Sequence, residues 1–154
     1  MSVKSKPKKN RTVRKHPSWT HWYDSITSAK VRHMCHEVGM RSTQLLPEEL
    51  RGTVQWVVEY LTEEPLTLER LHTIVPPFMR NLKTEPLVDE RMLKAAYPKL
   101  SDPVLHELHR SVEGFLVTLI KEGAEVAKEN KLKSIQPKHV NKIRLKYFTL
   151  PEDE

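Results

Sequence analysis

The chain has 154 residues, with 26 Lys plus Arg against 20 Asp plus Glu, four glycines and one cysteine. This length suits one ordinary domain or two very small ones. No apolar run approaches the ~18 residues that span a bilayer, and the basic start is not followed by the apolar segment of a signal peptide, so we expect an intracellular protein. The lone Cys35 excludes an internal disulfide, and so few glycines argue against a glycine-rich phosphate loop.

Positive charge is concentrated in the first 16 residues, which contain seven of the 26 basic side chains and no acid. The rest of the chain has 19 basic and 20 acidic residues, a net charge of −1. A run of like charges is solvated and repels itself, so we predict a disordered tail that serves as a nucleic-acid arm, an import signal or a solubilising extension. Its basic residues are Lys4, Lys6, Lys8, Lys9, Arg11, Arg14 and Lys15. Residues 147–154 are predicted to form an acidic tail, of which residues 151–154 are expected to fray.

Prolines and one glycine divide the first half of the chain into helical segments. Apolar residues at three-to-four spacing predict the helices, Gly39 suits a left-handed stop after the first, and Pro47 suits the first turn of the second. Glu48 and Glu49 would then oppose the positive end of the helix dipole. The predicted helices cover residues 22–38, 47–64 and 67–75, and Pro76 with Pro77 stops the last.

The second half repeats this order of segments with a longer central helix. A short helix is predicted over residues 86–97 with three residues facing inward: Met92, Leu93 and Ala96. A helix of about 28 residues, about 42 Å long, follows up to Asn130. Residues 131–135 then alternate like a short strand, and Pro137 begins a last short helix. Because little local chain is left to cover the long helix, that helix must pack on the first half or on a partner.

The segment after the long helix has a recognisable pattern of residue types. A basic and apolar loop leads into a proline-started helix with a basic, His, apolar triplet, and these features fall on Lys133, Ile135, Pro137, Lys138, His139 and Val140. Together with the order of helices, this pattern over residues 86–146 resembles the histone fold, and within it the core histone called two-A. Gln136 departs from the pattern, because the family usually has a helix-capping threonine there, and we expect a weaker cap.

The first half has a shortened form of the same order. Residues 17–80 are therefore predicted to form a second histone-like unit that resembles histone two-B, with an unrelated helical extension covering the long helix as the alternative. Two fused units resemble the histone doublets of large DNA viruses. The predicted fold class is all-α, with a short histone-like unit over 17–80 and a histone fold over 86–146.

The resemblance implies where DNA would bind. Histone folds pair head to tail, which places the first loop of one unit beside the second loop of the other, and DNA is held through its phosphates rather than its base edges. Amides at the starts of the long helices would add dipole contacts. One site would combine Arg41, Ser42 and Thr43 with Lys131, Lys133, Ser134 and Lys138, and Lys99 would belong to the other. For each lysine the alternative is an ordinary solvated side chain.

Three acids share one face of the long helix, because Glu122, Glu125 and Glu129 are spaced at i, i+3 and i+7. On the histone resemblance this face would dock basic peptides. A solvated helix face explains the same spacing.

Eight histidines raise the question of a metal site. His33, Cys35 and His36 are close in sequence, but a structural zinc site needs four ligands. His106 and His109 lack the H-E-x-x-H spacing of a metalloprotease helix. No nucleophile, base and orienting acid recur at a recognisable spacing. We therefore expect no enzyme, no metal or other cofactor and no small-molecule substrate.

The tryptophans could stack on bases in a single-strand binder. Trp22 and Trp56 lie within amphipathic segments, which favours a role as core or dimer-interface anchors. The prediction for both is therefore structural.

These patterns predict a histone-like DNA-compacting protein, the dimer-type component of a nucleosome-like particle. It would bind double-stranded DNA without base specificity, need a tetramer-type histone pair or fused doublet as partner, and work in a nucleus, viral factory or viral particle. The alternative is a histone-fold interaction subunit of a transcription or kinetochore complex, with the tail as an import signal. A helical adaptor with no DNA role is a third possibility.

Overall fold

The computed structural model describes residues 19–153, and helices make up most of them. The basic tail predicted over residues 1–16, with all seven of its Lys and Arg side chains, lies outside the described residues. The predicted all-α class is confirmed. The elements are α1 (Ser28–Glu37), β1 (Arg41–Ser42), α2 (Leu46–Thr62), α3 (Leu68–Ile74), α4 (Pro77–Arg80), α5 (Glu90–Ala96), α6 (Asp102–Glu129), β2 (Ser134–Ile135) and α7 (Pro137–Tyr147). None of the helices within residues 19–153 is long and apolar enough to cross a lipid bilayer.

One order of elements occurs twice along the chain. Short helix, loop, long helix, loop and short helix are formed first by α1, α2 and α3 and again by α5, α6 and α7, with α4 between the two sets. The central helix has 17 residues in the first set and 28 in the second. The bounds of α6 match the predicted long helix to within a residue or two.

Local signals in the sequence set the helix ends. The Thr27 and Thr67 hydroxyls each accept a backbone N–H three residues further on, which caps α1 and α3, and the Asp89 carboxylate caps α5. Pro47 lies in the first turn of α2, as predicted. Gly39 follows α1 with a φ of +75°, the left-handed conformation expected of a helix stop.

Helix α6 runs through the middle of the structure and packs against the other six α-helices. Its residues 111–120 are all buried except the partly exposed Val117. At Gly114, a Cβ atom would lie 1.8 Å from the carbonyl oxygen of Met79 in α4, so only glycine allows this approach. The long helix is therefore covered by the first half of its own chain, one of the two arrangements that its length predicted.

Strands β1 and β2 join the two halves of the chain. They pair in parallel, with Arg41 opposite Ser134 and Ser42 opposite Ile135. The Arg41 N–H donates to the Lys133 carbonyl at 2.9 Å, and the Thr43 N–H donates to the Ile135 carbonyl at 3.3 Å. The loop before α2 and the loop before α7 are thereby held side by side.

Three predicted helix bounds are wrong. Residues Trp22–Ser25 form a separate 3₁₀ turn, so α1 begins only at Ser28. The predicted helix over 86–97 starts at Glu90, because Asp89 caps it there. Pro77 does not merely stop α3 but begins α4, since the missing N–H of a proline costs nothing in a first helical turn.

Two exposed side chains bear on the predictions: Ala96, predicted to face the core, and Trp56, predicted to be a core or dimer-interface anchor. Ala96 in α5 is exposed and Met92 is only partly buried, while Leu93 is fully buried as predicted. Trp22 is buried, but Trp56 remains 48% exposed because it lies beside the buried stripe of α2 and not within it. Short helices bury a narrower face than their composition indicates.

The segment predicted as an acidic tail, residues 147–154, packs against the helices over much of its described part. Phe148 and Leu150 are buried, and the Phe148 ring packs edge-on against Phe115 with ring centres 4.9 Å apart. The carboxylate of Asp153 pairs with the buried guanidinium of Arg144. Residues 148–153 therefore fold back onto the helices.

Candidate nucleic-acid interface

The strand pair gathers seven predicted binding residues at one end of the structure, here called the basic loop end: Arg41, Ser42, Thr43, Lys131, Lys133, Ser134 and Lys138. Its four cationic side chains are all exposed. No carboxylate of the described residues forms an ion pair with any of them. Four unpaired cations at one end of a structure make a surface that attracts a polyanion.

The hydroxyl groups of this end hold the loops together. The Thr43 hydroxyl donates to the Ile135 carbonyl across the strand pair at 3.1 Å, and the Ser42 hydroxyl donates to the Thr43 carbonyl at 2.9 Å. Both hydroxyl protons are therefore used within the protein. These two side chains thus position the loops, and their predicted contact with phosphate stays a prediction.

The loop between α6 and β2 alternates between the core and the surface. Lys131 and Lys133 are exposed, whereas Leu132 packs against the core and Ile135 is fully buried. Lys131 has a φ of +61°, a left-handed backbone that a non-glycine residue adopts only at a cost. The strained turn lets the chain reverse after α6 while both lysines stay at the surface.

The helix starts near this end differ in charge. Helix α7 has no acid in its first turn and carries Lys138 there, so its positive dipole end suits an anion. Helix α2 instead carries Glu48 and Glu49 in its first turn, and at the opposite end of the structure α6 carries Asp102. These acids disfavour an anion at the starts of the two long helices, where the resemblance implies phosphate contacts.

The cap of α7 comes from a histidine instead of the residue before the helix. Gln136 makes no side-chain cap bond, as its departure from the histone pattern predicted. Instead the buried His139 ring accepts the Gln136 N–H through Nδ1 at 3.0 Å, and its Nε2 has no partner among the described residues. Burial, followed by the charges of Lys138 and Lys142, lowers the pKa of His139. The neutral ring that this bond needs is thus favoured.

Sequence analysis missed one cation at this end. Lys142 is exposed on α7 and is spaced four residues from Lys138, so the two lysines share a helix face. The i, i+4 spacing in the sequence could have indicated it.

The second pair of loops also meets, at what we call the acidic loop end: residues 63–67 after α2 and 97–101 before α6. They line one groove of about 890 Å³, so the predicted neighbour relation of the Lys99 loop is observed. Glu63 and Glu64 are exposed in this groove, and Asp102 pairs with Lys94 at 3.3 Å. Lys99 therefore lines this groove together with two exposed carboxylates.

The three acids predicted to form a docking face differ in their surroundings. Glu122 accepts from the Lys146 ammonium at 2.9 Å and from the Tyr147 hydroxyl at 2.5 Å. The hydrogen bond to Glu122 raises the pKa of Lys146. Glu125 and Glu129 are exposed, so only these two leave their charge free on that face.

Another acid, Glu113, has a structural role that sequence analysis missed. Buried in α6, its carboxylate accepts the N–H groups of Leu87 and Val88 and the Thr84 hydroxyl, at 2.7, 3.1 and 2.8 Å. It fixes the segment that joins the two halves of the chain. The signal was a lone acid within a long apolar stripe, which is typical of a buried and fully bonded carboxylate.

No group of three or more His, Cys, Asp or Glu side chains within residues 19–153 is arranged to hold a metal ion. Cys35 is buried, and burial raises the pKa of its thiol to about 11, so it remains protonated. His33 lies 3.5 Å from Glu37 on the surface of α1, in an ordinary i, i+4 pair. The burial of Cys35 and the pairing of His33 with Glu37 therefore account for these two side chains without a metal.

The chain matches no protein-family model, no curated protein and no solved structure.

Proposed function

We propose that the chain is a fused pair of histone-fold units that binds the DNA backbone and forms the dimer-type component of a nucleosome-like particle. The parallel pairing of β1 with β2 carries the proposal, because it joins the first loop of one set of helices to the second loop of the other. The repeated order of short, long and short helices supports it. The proposed places of action are a nucleus, a viral factory or a viral particle.

The chemistry of the basic loop end favours phosphate contacts without base reading. Arg41, Lys131, Lys133 and Lys138 are exposed and form no ion pair within the described residues, and such side chains contact the phosphates that fix a protein on DNA without reading its sequence. Four phosphate contacts would give log K a slope against log salt of about −3.6, and the seven cations of residues 1–16 would make it steeper. Sequence preference is expected to come only from the cost of bending DNA.

Micrococcal nuclease digestion tests the proposal directly. DNA is assembled with a tetramer-forming histone pair, with and without this chain, near 0.15 M salt, at which the phosphate contacts proposed above still hold. The expected result is a discrete protected length that grows when the chain is added. The variant Arg41→Gln, Lys133→Gln should lose the increment, and Lys99→Gln should keep it. A stable protein complex with no added protection would contradict the proposal.

The acidic loop end favours a second candidate function, a histone-fold interaction subunit that binds proteins. Glu63 and Glu64 occupy the place where the resemblance implies DNA contacts. In that case complex formation with a histone-fold partner should persist in high salt, since apolar pairing is not screened, and removal of residues 1–16 should leave it intact. DNA binding that falls steeply with salt supports the first function instead.

A further inference from the structure

The surface of α2 that faces away from α6 has two large apolar side chains in water. Leu45 is 64% exposed and Trp56 is 48% exposed, which leaves the interface role of the two roles predicted for Trp56. Both line one groove of about 400 Å³ between α2 and α7, here called the α2–α7 groove. They are 11 residues apart, which corresponds to about 16 Å or three helical turns on one face. Apolar groups grouped on one exposed face indicate a contact surface.

Gly52 lies midway between these two side chains and lines the same groove. A glycine in a helix interior lowers helix stability relative to alanine. No contact within the described residues requires a glycine at position 52, because an added Cβ would meet none of their atoms within 4 Å. The lower helix stability at Gly52 is therefore not explained by packing inside this structure. A flat position between two bulky side chains lets the backbone of a second helix approach closely.

The groove is negatively charged. Glu48 is exposed and Glu49 half-exposed, and neither forms an ion pair with a described residue; Glu49 only accepts the Thr53 hydroxyl at 3.4 Å. The one cation in the lining, Arg144, is buried and fully bonded to Asp153, the Phe148 carbonyl and the Asn141 amide oxygen. A ligand therefore meets two free carboxylates beside an apolar strip.

We propose that the α2–α7 groove binds an amphipathic helix of a partner protein, about three turns long, with Lys or Arg beside its apolar stripe. Its apolar side chains pack on Leu45 and Trp56, its backbone crosses Gly52, and its cations pair with Glu48 and Glu49. Helix-in-groove recognition uses this combination of apolar anchors and flanking charge. The groove lining shares no residue with the basic loop end, so the proposal does not depend on DNA binding.

A synthetic helical peptide tests the charge and the apolar contact together. The probe is a fluorescein-labelled 14-residue peptide of leucine and lysine in amphipathic order, and the matched probe has glutamate at every lysine position. Fluorescence anisotropy with the full chain should show binding of the lysine peptide and not of the glutamate peptide. Equal binding of both peptides, or of neither, would overturn the proposal.

Single variants locate the contact. Trp56→Ala should weaken binding of the lysine peptide at least about tenfold, as loss of a central aromatic anchor does. Phe78→Ala is the matched control, because Phe78 is also 48% exposed but does not line the groove, and it should leave affinity unchanged. Equal losses in these two variants would contradict a specific site.

Gly52→Gln separates docking from folding. Glutamine is the better helix former, so the thermal midpoint should rise, while the side chain fills the path across the groove and peptide affinity should fall. Affinity that is unchanged or that rises with the thermal midpoint would overturn the role of Gly52. Circular dichroism and anisotropy on the same sample give both values.

Two other occupants are tested with the same reagents. If sedimentation shows that the chain alone forms a dimer that Trp56→Ala dissociates, the occupant is a second copy and the proposal is wrong. If the lysine peptide binds only after residues 1–16 are removed, the occupant is the chain's own basic segment and the proposal is also wrong. A monomer that binds the peptide equally well with and without residues 1–16 supports a partner helix.

Discussion

Each of the two loop ends brings together one loop from each half of the chain, but the two ends differ in the sign of their exposed charge. At each end a loop from the first half meets a loop from the second half. The basic loop end carries four exposed cations, while the acidic loop end has Glu63 and Glu64 with Lys99. Helix order therefore decides which loops meet, whereas the side chains on those loops decide what each end can bind.

The backbone of the two ends differs as well. Within residues 19–153 the only strand pair is at the basic loop end. At the acidic loop end, Pro65 and Pro98 occupy the two loops, and a proline has no N–H to donate to a strand partner. The loops there line a groove instead of forming a ladder.

The largest expected effect comes from removing charge at the basic loop end. Arg41→Gln with Lys133→Gln removes two phosphate contacts and should lower affinity for a DNA duplex on the order of 30-fold near 0.15 M salt. Lys99→Gln with Lys94→Gln removes the same charge from the other end and should change affinity less than about threefold. Titrations at several salt concentrations measure both, and equal losses would show that the two ends do not differ in function.

Reversing charge at the acidic loop end should convert it into a second DNA contact. Glu63→Lys with Glu64→Lys should raise DNA affinity on the order of tenfold and steepen the salt slope by about one to two. The gain is expected to be smaller than the loss above because no strand pair holds these loops. Glu69→Lys with Glu37→Lys makes the same change in charge on α3 and α1, so a gain of equal size there would mean that only net charge matters.

Lys131→Gly separates charge from backbone conformation. The variant removes one cation and should weaken DNA binding about fivefold, with a salt slope shallower by about 0.9. Its thermal midpoint should stay equal or rise, because glycine adopts the φ of +61° without strain. Lys133→Gly is the control, since it removes a cation where the backbone is not left-handed and should lower the midpoint.

Thr43→Val tests whether the strand pair depends on its side-chain bond. Loss of the hydroxyl bond to the Ile135 carbonyl should cost about 1 kcal/mol of unfolding free energy in urea. Ser42→Ala should cost less, because the Ser42 hydroxyl bonds only within its own loop. If Ser42→Ala lowers the unfolding free energy more than Thr43→Val does, the bond within the first loop matters more than the bond between the two loops.

The smallest expected effect is a dependence on pH at His139. Its pKa in the folded state is below the ordinary 6.5, so the unfolded chain takes the proton first as pH falls. The contribution of His139 is therefore complete above about pH 6.5 and is lost as pH falls toward the folded pKa. His139→Gln keeps an acceptor at the third position of α7 and should reduce the fall in urea midpoint between about pH 7.5 and pH 5.5.

Local sequence signals determined most of the helices. Gly39, Pro47 and Pro137 mark ends of α1, α2 and α7 through preferences that act within a few residues. The long apolar stripe of α6 was equally readable, because its period repeats over 28 residues. The histone resemblance also predicted that the loop after α2 lies beside the Lys99 loop, but not that Glu63 and Glu64 would be there.

Tertiary structure alone decided which residues lie together and which are covered. Thr43 and Ile135 bond across 92 positions, and residues 148–153 fold back because Phe115 and Arg144 receive them. Local preferences in the sequence account for the repeated set of helices, and the positive charge of residues 1–16 is read directly from the sequence. The opposite characters of the two loop ends and the exposure of Trp56 depend on packing between distant segments, which no local preference encodes.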